Sequence, residues 1–141
     1  MNTDMRIAIS GTACQGKTTL VKDFLEMWPS YTTPKKTYRD ILQENNLEHS
    51  SKTSKDTQRK ILDFMIEEQQ KHRRGENVIY DRCPLDNLVY SMWASEQEGN
   101  DIDEDFVTSC LPLVRESFRD LDIIFFVPIT KVAPIGIVED G

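Results

Sequence analysis

The sequence has no apolar run of 18 or more residues, which excludes a transmembrane helix of ordinary length. Cysteine is scarce and odd in number. Cys14, Cys83 and Cys110 fit no C-x-x-C spacing, which argues against both a disulfide framework and a zinc site and leaves reduced thiols as the expectation. Positive charge is not in excess either: 17 Lys and Arg stand against 24 Asp and Glu, a net charge of −7, which disfavours nucleic-acid binding by the surface as a whole. Internal repeats and low-complexity tracts are missing. The start, "MNTDMRIAIS", is too polar for a secretory leader, so a cytoplasmic protein without membrane attachment is expected. Its 141 residues read as one domain, 1–141, large enough to bury a core without cross-links.

What is present is organised unevenly. From Lys52 to Arg74 seven cations (Lys52, Lys55, Arg59, Lys60, Lys71, Arg73, Arg74) face four acids (Asp56, Asp63, Glu67, Glu68), and between Gly99 and Asp122 the balance reverses. Solvated helix faces account for both. "MRIAIS" reads as a short buried strand, and Gly16 to Met27 as a helix with Leu20, Val21, Phe24, Leu25 and Trp28 on one face, ended by Pro29. "YTTP" reads as a second strand and Lys36 to Glu44 as a short helix. Lys55 to Lys71 is helical, with Ile61, Leu62, Met65, Ile66 and Gln69 in phase and Ser54 as its cap. "NVIYD" is a third strand, and Pro84 opens a helix with Leu85, Leu88, Val89, Met92 and Trp93 in phase. "DEDFVTSCLPLVRESF" is helical with a kink or split at Pro112, and "DIIFFVP" is a fully apolar strand. Apolar strands separated by helices predict an α/β fold with a parallel sheet covered on both faces and right-handed crossovers.

Directly after the first strand stands "GTACQGKT", the spacing G-x-x-x-x-G-K-[ST] at a strand-to-helix junction. Backbone N–H groups from Gly11 through Thr12, Ala13, Cys14 and Gln15 to Gly16 would wrap a β-phosphate, and the helix that follows would aim its positive end at the same oxygens. Lys17 would neutralise the β- and γ-phosphates, Thr18 would ligate Mg²⁺, and Thr19 completes the nucleotide-contacting run. Glycine is needed at 11 and 16 because the chain turns tightly against its ligand.

The second informative stretch is "NVIYDRCPLDNLVY". An acid at the tip of a strand beside the phosphate loop can hold the Mg²⁺ shell or act as base toward an acceptor hydroxyl, and Asp81 stands there. Arg82 follows, where P-loop hydrolases commonly carry a second acid; its planar fork suits an anionic acceptor or the transferring phosphoryl group. Helix capping before Pro84 is the alternative for this pair. Asp86, in the first turn of that helix, reads as an acid compensating the helix dipole.

Together "RIAISGTACQGKTTLVKDF", "YRDIL", "DTQRKILDFMIEEQ" and "VIYDRCPLDNLVYSMW" resemble the P-loop nucleoside and nucleotide kinases. Within the thymidylate kinase-like group, the similarity is to the branch holding nicotinamide riboside kinase domains and small bacteriophage kinases; a phage origin would place the protein in the host cytoplasm. The resemblance implies a three-layer P-loop NTPase fold on a five-stranded parallel sheet, with ATP on the loop and the acceptor in a facing cleft. It also implies that Arg39 meets acceptor phosphate or sugar and that Gln58 hydrogen-bonds a base. Such kinases continue past the equivalent of "DIIFFV" into an arginine-bearing lid, a last strand and a helix, whereas here "PITKVAPIGIVEDG" runs to Gly141. The expectation is a C-terminally incomplete domain without lid arginines and last strand, with a sheet edge open to homo-oligomerisation.

The function expected is ATP- and Mg²⁺-dependent transfer of the γ-phosphoryl group to a (deoxy)nucleoside monophosphate. Lys17, Asp81 and Arg82 are its catalytic residues, Thr18 and Asp81 its metal ligands, and Arg39, Gln58 and Arg82 its acceptor contacts. Other readings stand beside it: a nucleoside kinase; a kinase for a polynucleotide end or modified DNA base, supported only by the basic Lys52 to Arg74 face; and a P-loop ATP hydrolase, weakened by the absence of an acid pair after "IIFFV".

Overall fold

The computed structural model describes residues 4–11, 16–47 and 52–128. In chain order its elements are β1 (Arg6–Ser10), α1 (Lys17–Met27), α2 (Tyr38–Glu44), α3 (Lys55–Gln70), β2 (Val78–Asp81), α4 (Pro84–Ser95), α5 (Glu104–Ser117), a 3₁₀ turn (Phe118–Asp120) and β3 (Ile123–Phe126). The three strands form one parallel sheet in the order β2-β1-β3, with Ala8 opposite Tyr80 on one side and Ile124 on the other.

Alternation along the strands builds two cores. Ile7, Ile9 and Ile79 point to the face covered by Val21, Phe24 and Leu25 of α1, while Ala8, Val78 and Tyr80 point to the opposite face, toward Cys83 and Leu85. On that second side Leu62 of α3, Leu88 of α4 and Cys110 and Val114 of α5 close a further cluster, and α2 packs Tyr38 and Leu42 on Ile61. Among the described residues no helix is long and apolar enough to cross a membrane.

Several sequence expectations need correction. "YTTP" is a single parallel bridge, Thr32 to Val78, rather than a strand, so the described residues hold three strands and not the four read from the sequence. Proline at 34 removes a ladder donor, and the bridge has only β2 to pair with. Pro112 neither splits nor ends α5. It lies on the exposed side, as does Thr108, whose carbonyl loses its helical donor to the proline ring and there meets water. The phase of α4 is rotated: Pro84, Asn87, Leu88, Ser91 and Ala94 face inward, while Val89, Met92 and Trp93 are about half exposed. On α1, Leu20 is exposed, and Trp28 stacks on Phe24 at 4.9 Å instead of entering the core. β3 is apolar but not enclosed, with Phe126 69% exposed. The expected approach to a lid, from 129 onward, lies outside the described residues.

The sheet is pinned where it begins. The buried Arg6 guanidinium reaches Asp122 with Nε on Oδ2 at 3.1 Å and Nη2 on Oδ1 at 3.2 Å, and the Arg6 amide adds a 2.7 Å bond to Oδ2. These bonds hold the Asp122 carboxyl below the usual aspartate range. A carboxylate with a lowered folded pKa contributes stability above its unfolded value of about 3.9 and loses it as pH falls through the folded value. Asp122→Asn is therefore expected to cost about 2 kcal/mol at neutral pH, with the gap to the parent narrowing in denaturant titrations as pH falls below the unfolded value of about 3.9 and through the lowered folded one.

Candidate phosphate and acceptor site

The site grows from the carboxyl ends of the three strands. Beyond β1 the ladder continues on both sides, with Arg82 N–H donating to Ile9 O at 2.9 Å and Val127 N–H to Ser10 O at 2.8 Å. Gly11 thus lies tight against the chain leaving β3 at Val127. Its φ is 146°, and a Cβ there would lie 2.5 Å from Val127 O, so any side chain would force the strands apart. Gly16 precedes α1 in the left-handed region, φ 79°, and turns the first helical N–H groups toward the strand ends. Thr12, Ala13, Cys14 and Gln15 lie outside the described residues.

Lys17 is 4% exposed, and its Nζ donates to Gly11 O at 2.7 Å, so the ammonium bridges the two ends of the loop. Next to it, Thr18 Oγ1 donates to Asp81 Oδ2 at 2.7 Å. The second oxygen, Asp81 Oδ1, is buried and has no hydrogen-bond partner among the described residues. An orphaned carboxylate oxygen beside a hydroxyl is a hard, all-oxygen donor set, which fits Mg²⁺. No cluster of three or more His, Cys, Asp or Glu able to hold a metal occurs among the described residues. Coordination would therefore need oxygens from a bound phosphate or water, as Mg²⁺ usually does.

Opposite stand two guanidiniums. Arg82 has φ 84°, a conformation that costs a non-glycine residue about 1–2 kcal/mol. Its Cζ lies 4.9 Å from the centre of the Tyr38 ring, and Arg39 Cζ lies 5.4 Å from the same ring. Among the described residues neither guanidinium is in an ion pair. A cleft of about 260 Å³ runs between these arginines and Gly16, Lys17, Thr18, Thr19 and Asp81. Gln58 is not in that cleft. It lines an adjoining small depression with Arg82, Asn87 and Tyr90, fully buried, its Oε1 accepting from Asn87 Nδ2 at 2.7 Å and its Nε2 donating to Thr53 Oγ1 at 2.9 Å.

Sequence reasoning passed over Tyr38 and Asn87 and gave Asp86 only a dipole-compensating part. Tyr38 is the platform for both arginines, and its position before Arg39 was the available signal. Asp86 accepts from Ser10, Gly11 and Cys83. Cys83 takes no part in the chemistry: it is 1% exposed, and burial with the neighbouring Asp86 carboxylate pushes its thiol up to about 12.

With the geometry in place, comparison with known proteins is informative. A family model described as an AAA domain matches residues 6–140. The chain belongs to that AAA domain family. No curated protein matches the sequence. Among solved structures, NadR protein in complex with NR superposes with a TM-score of 0.70 at 17% identity, covering 98% of this chain and 36% of that one. Deoxyadenosine kinase from M. mycoides, with products dCMP and a flexible dCDP bound, gives 0.62 at 18%, covering 87% and 64%. Thymidylate kinase from Candida albicans gives 0.58 at 13%, covering 92% and 64%. The AAA domain chain thus has the α/β fold of the P-loop nucleoside and nucleotide kinases, and it spans just over a third of the first neighbour and under two thirds of the other two.

Proposed function

We propose that this protein is an ATP-dependent kinase that moves the γ-phosphoryl group to a (deoxy)nucleoside monophosphate. The observation that carries this reading is one cleft with Lys17, Thr18 and Asp81 on one wall and, on the other, Arg39 and Arg82, two guanidiniums without carboxylate partners among the described residues. The first wall suits a polyphosphate, and the second suits an acceptor that is itself anionic. A hydrolase acting on water would use one arginine on the transferring phosphoryl group but has no anionic acceptor for a second. The neighbours named for deoxyadenosine kinase and thymidylate kinase support the same class of reaction.

The chain's own groups then divide the work. Lys17 exchanges Gly11 O for β- and γ-phosphate oxygens without leaving its buried position, so its charge is spent on the ligand with little reorganisation. Thr18 and Asp81 would hold Mg²⁺, which when bound draws charge from the phosphates. Arg82 and Arg39, stiffened against Tyr38, fix the acceptor phosphate so that its oxygen meets the γ-phosphorus in line. Asp81 assists that oxygen, whereas Gln58, buried outside the cleft with its amide held by Asn87 and Thr53, takes no part in reading the base.

The polynucleotide reading draws less support than the composition offers, because four of the seven cations between Lys52 and Arg74 are paired: Lys55 with Asp103, Arg59 with Asp63, Lys60 with Asp56 and Lys71 with Glu68. A phosphotransfer screen with labelled ATP against nucleosides, monophosphates and oligonucleotides decides. Label is expected in a monophosphate, whereas transfer only to nucleosides or oligonucleotides, or release of phosphate alone, would overturn the assignment.

A further inference from the structure

Asp86 belongs to α4, yet it holds the start of the phosphate loop. Its Oδ1 accepts from Ser10 Oγ at 3.0 Å and from the Gly11 amide at 2.9 Å, across 76 and 75 residues of sequence, while Oδ2 accepts from the Cys83 amide at 2.9 Å. One carboxylate thus ties the last residue of β1 and the first of the loop to the segment that follows Asp81 and Arg82. The Gly11 peptide is gripped on both sides, its N–H by Asp86 and its C=O by Lys17 Nζ.

Dipole compensation explains none of the bonds to Ser10 and Gly11. An acid in the first turn satisfies the dipole and the Cys83 amide with its side chain lying along its own helix. Here one oxygen is given wholly to another strand. The cost is a negative charge beside a loop built for phosphate, which geometry must repay.

We infer that Asp86 is a positioning residue for phosphoryl transfer: it sets the loop carrying Lys17 and Thr18 in register with Asp81 and Arg82 by clamping the Gly11 amide to the start of α4. The inference rests on the phosphate-site reading above. Asn cannot replace the carboxylate, because both oxygens accept from N–H or O–H groups and one would become a donor facing a donor.

The test uses Asp86→Asn, with Leu88→Ala as a control that weakens the same helix through its buried core contact. Two quantities are read at a temperature where circular dichroism shows every protein folded: exchange of the Gly11 amide by NMR on ¹⁵N-glycine-labelled protein, and the Kd for Mg-ATP by calorimetry. Asp86→Asn is expected to speed Gly11 exchange and raise the Kd by about tenfold each, the scale of one lost hydrogen bond to a charged group. The control is expected to lower Tm and move neither. With a monophosphate acceptor, kcat should fall while the acceptor KM stays within about twofold.

Unchanged Gly11 exchange in Asp86→Asn would show that the clamp does not exist, and faster exchange with unchanged Kd would reduce Asp86 to a structural cap; either result overturns the proposal. A parent chain with a protected Gly11 amide that binds no Mg-ATP would instead sink the phosphate-site reading, and the positioning role with it. If Asp86→Asn does not fold, Asp86→Glu keeps the charge at the helix start but displaces the oxygens by one methylene. Faster Gly11 exchange with a raised Kd then supports the clamp, and no change in either overturns it.

Discussion

Lys17→Ala is expected to weaken Mg-ATP binding by about 100-fold or more and to remove measurable turnover, while leaving the protein folded. The two halves of this expectation come from different contacts. In the free protein Lys17 Nζ makes a 2.7 Å bond to Gly11 O, so the variant gives up this charge-assisted bond among its contacts, together with the burial of a four-carbon stem. Gly11 itself stays held through its amide by Asp86. The fold should therefore survive with a loss of about 1–2 kcal/mol. In the nucleotide complex the same nearly buried ammonium would face the β- and γ-phosphates, and without it their concentrated negative charge is left uncompensated. Calorimetric titration with Mg-ATP and a turnover assay on protein of verified circular dichroism check it. Binding within about threefold of the parent would remove Lys17 from the phosphate site.

How much of the fold and site is legible in the sequence varies with the range of the interaction. The strand and helix flanking "GTACQGKT" could be read because their signals are local, a left-handed glycine before the helix and a lysine one position later, whereas the contact that forbids a Cβ at Gly11, Val127 O at 2.5 Å, comes from 116 residues away. That "RIAIS", "VIYD" and "IIFF" run parallel followed from their apolar runs and the helices between them, but their order, β2-β1-β3, did not. The inward face of α4 was misjudged because periodicity counts apolar residues, and two of the inward positions are Asn87 and Ser91. Asn87 is inside because Gln58 is, and the Gln58–Asn87 amide pair spans 29 residues that no local window joins. "YTTP" has the composition of a strand but meets only β2, through a single bridge. The role of Asp86 was hidden for the same reason, since its two defining partners lie 75 and 76 residues away.

The arginine after Asp81 allows a sharper experiment than truncation alone, because its backbone and its side chain make opposite demands. At φ 84° the main chain would be easier for glycine, and Arg82 persists there at a cost of about 1–2 kcal/mol while its side chain stacks on Tyr38. Arg82→Ala keeps a Cβ in the left-handed conformation and loses the stacking. Arg82→Gly loses the stacking but relieves the strain, offset in part by the greater freedom glycine brings to the unfolded chain. Arg82→Gly is therefore expected to be about 1 kcal/mol more stable than Arg82→Ala in denaturant titrations. Phosphoryl transfer should fall alike in both, by about 10³-fold, because what transfer needs is the guanidinium and not the turn. Mg-ATP affinity should stay within about twofold of the parent, since Lys17, Thr18 and the loop glycines are untouched. Should either variant transfer at the parent rate, Arg82 holds no acceptor. Should the glycine variant be the less stable of the two, the left-handed turn is not strained, and the argument that function maintains it fails.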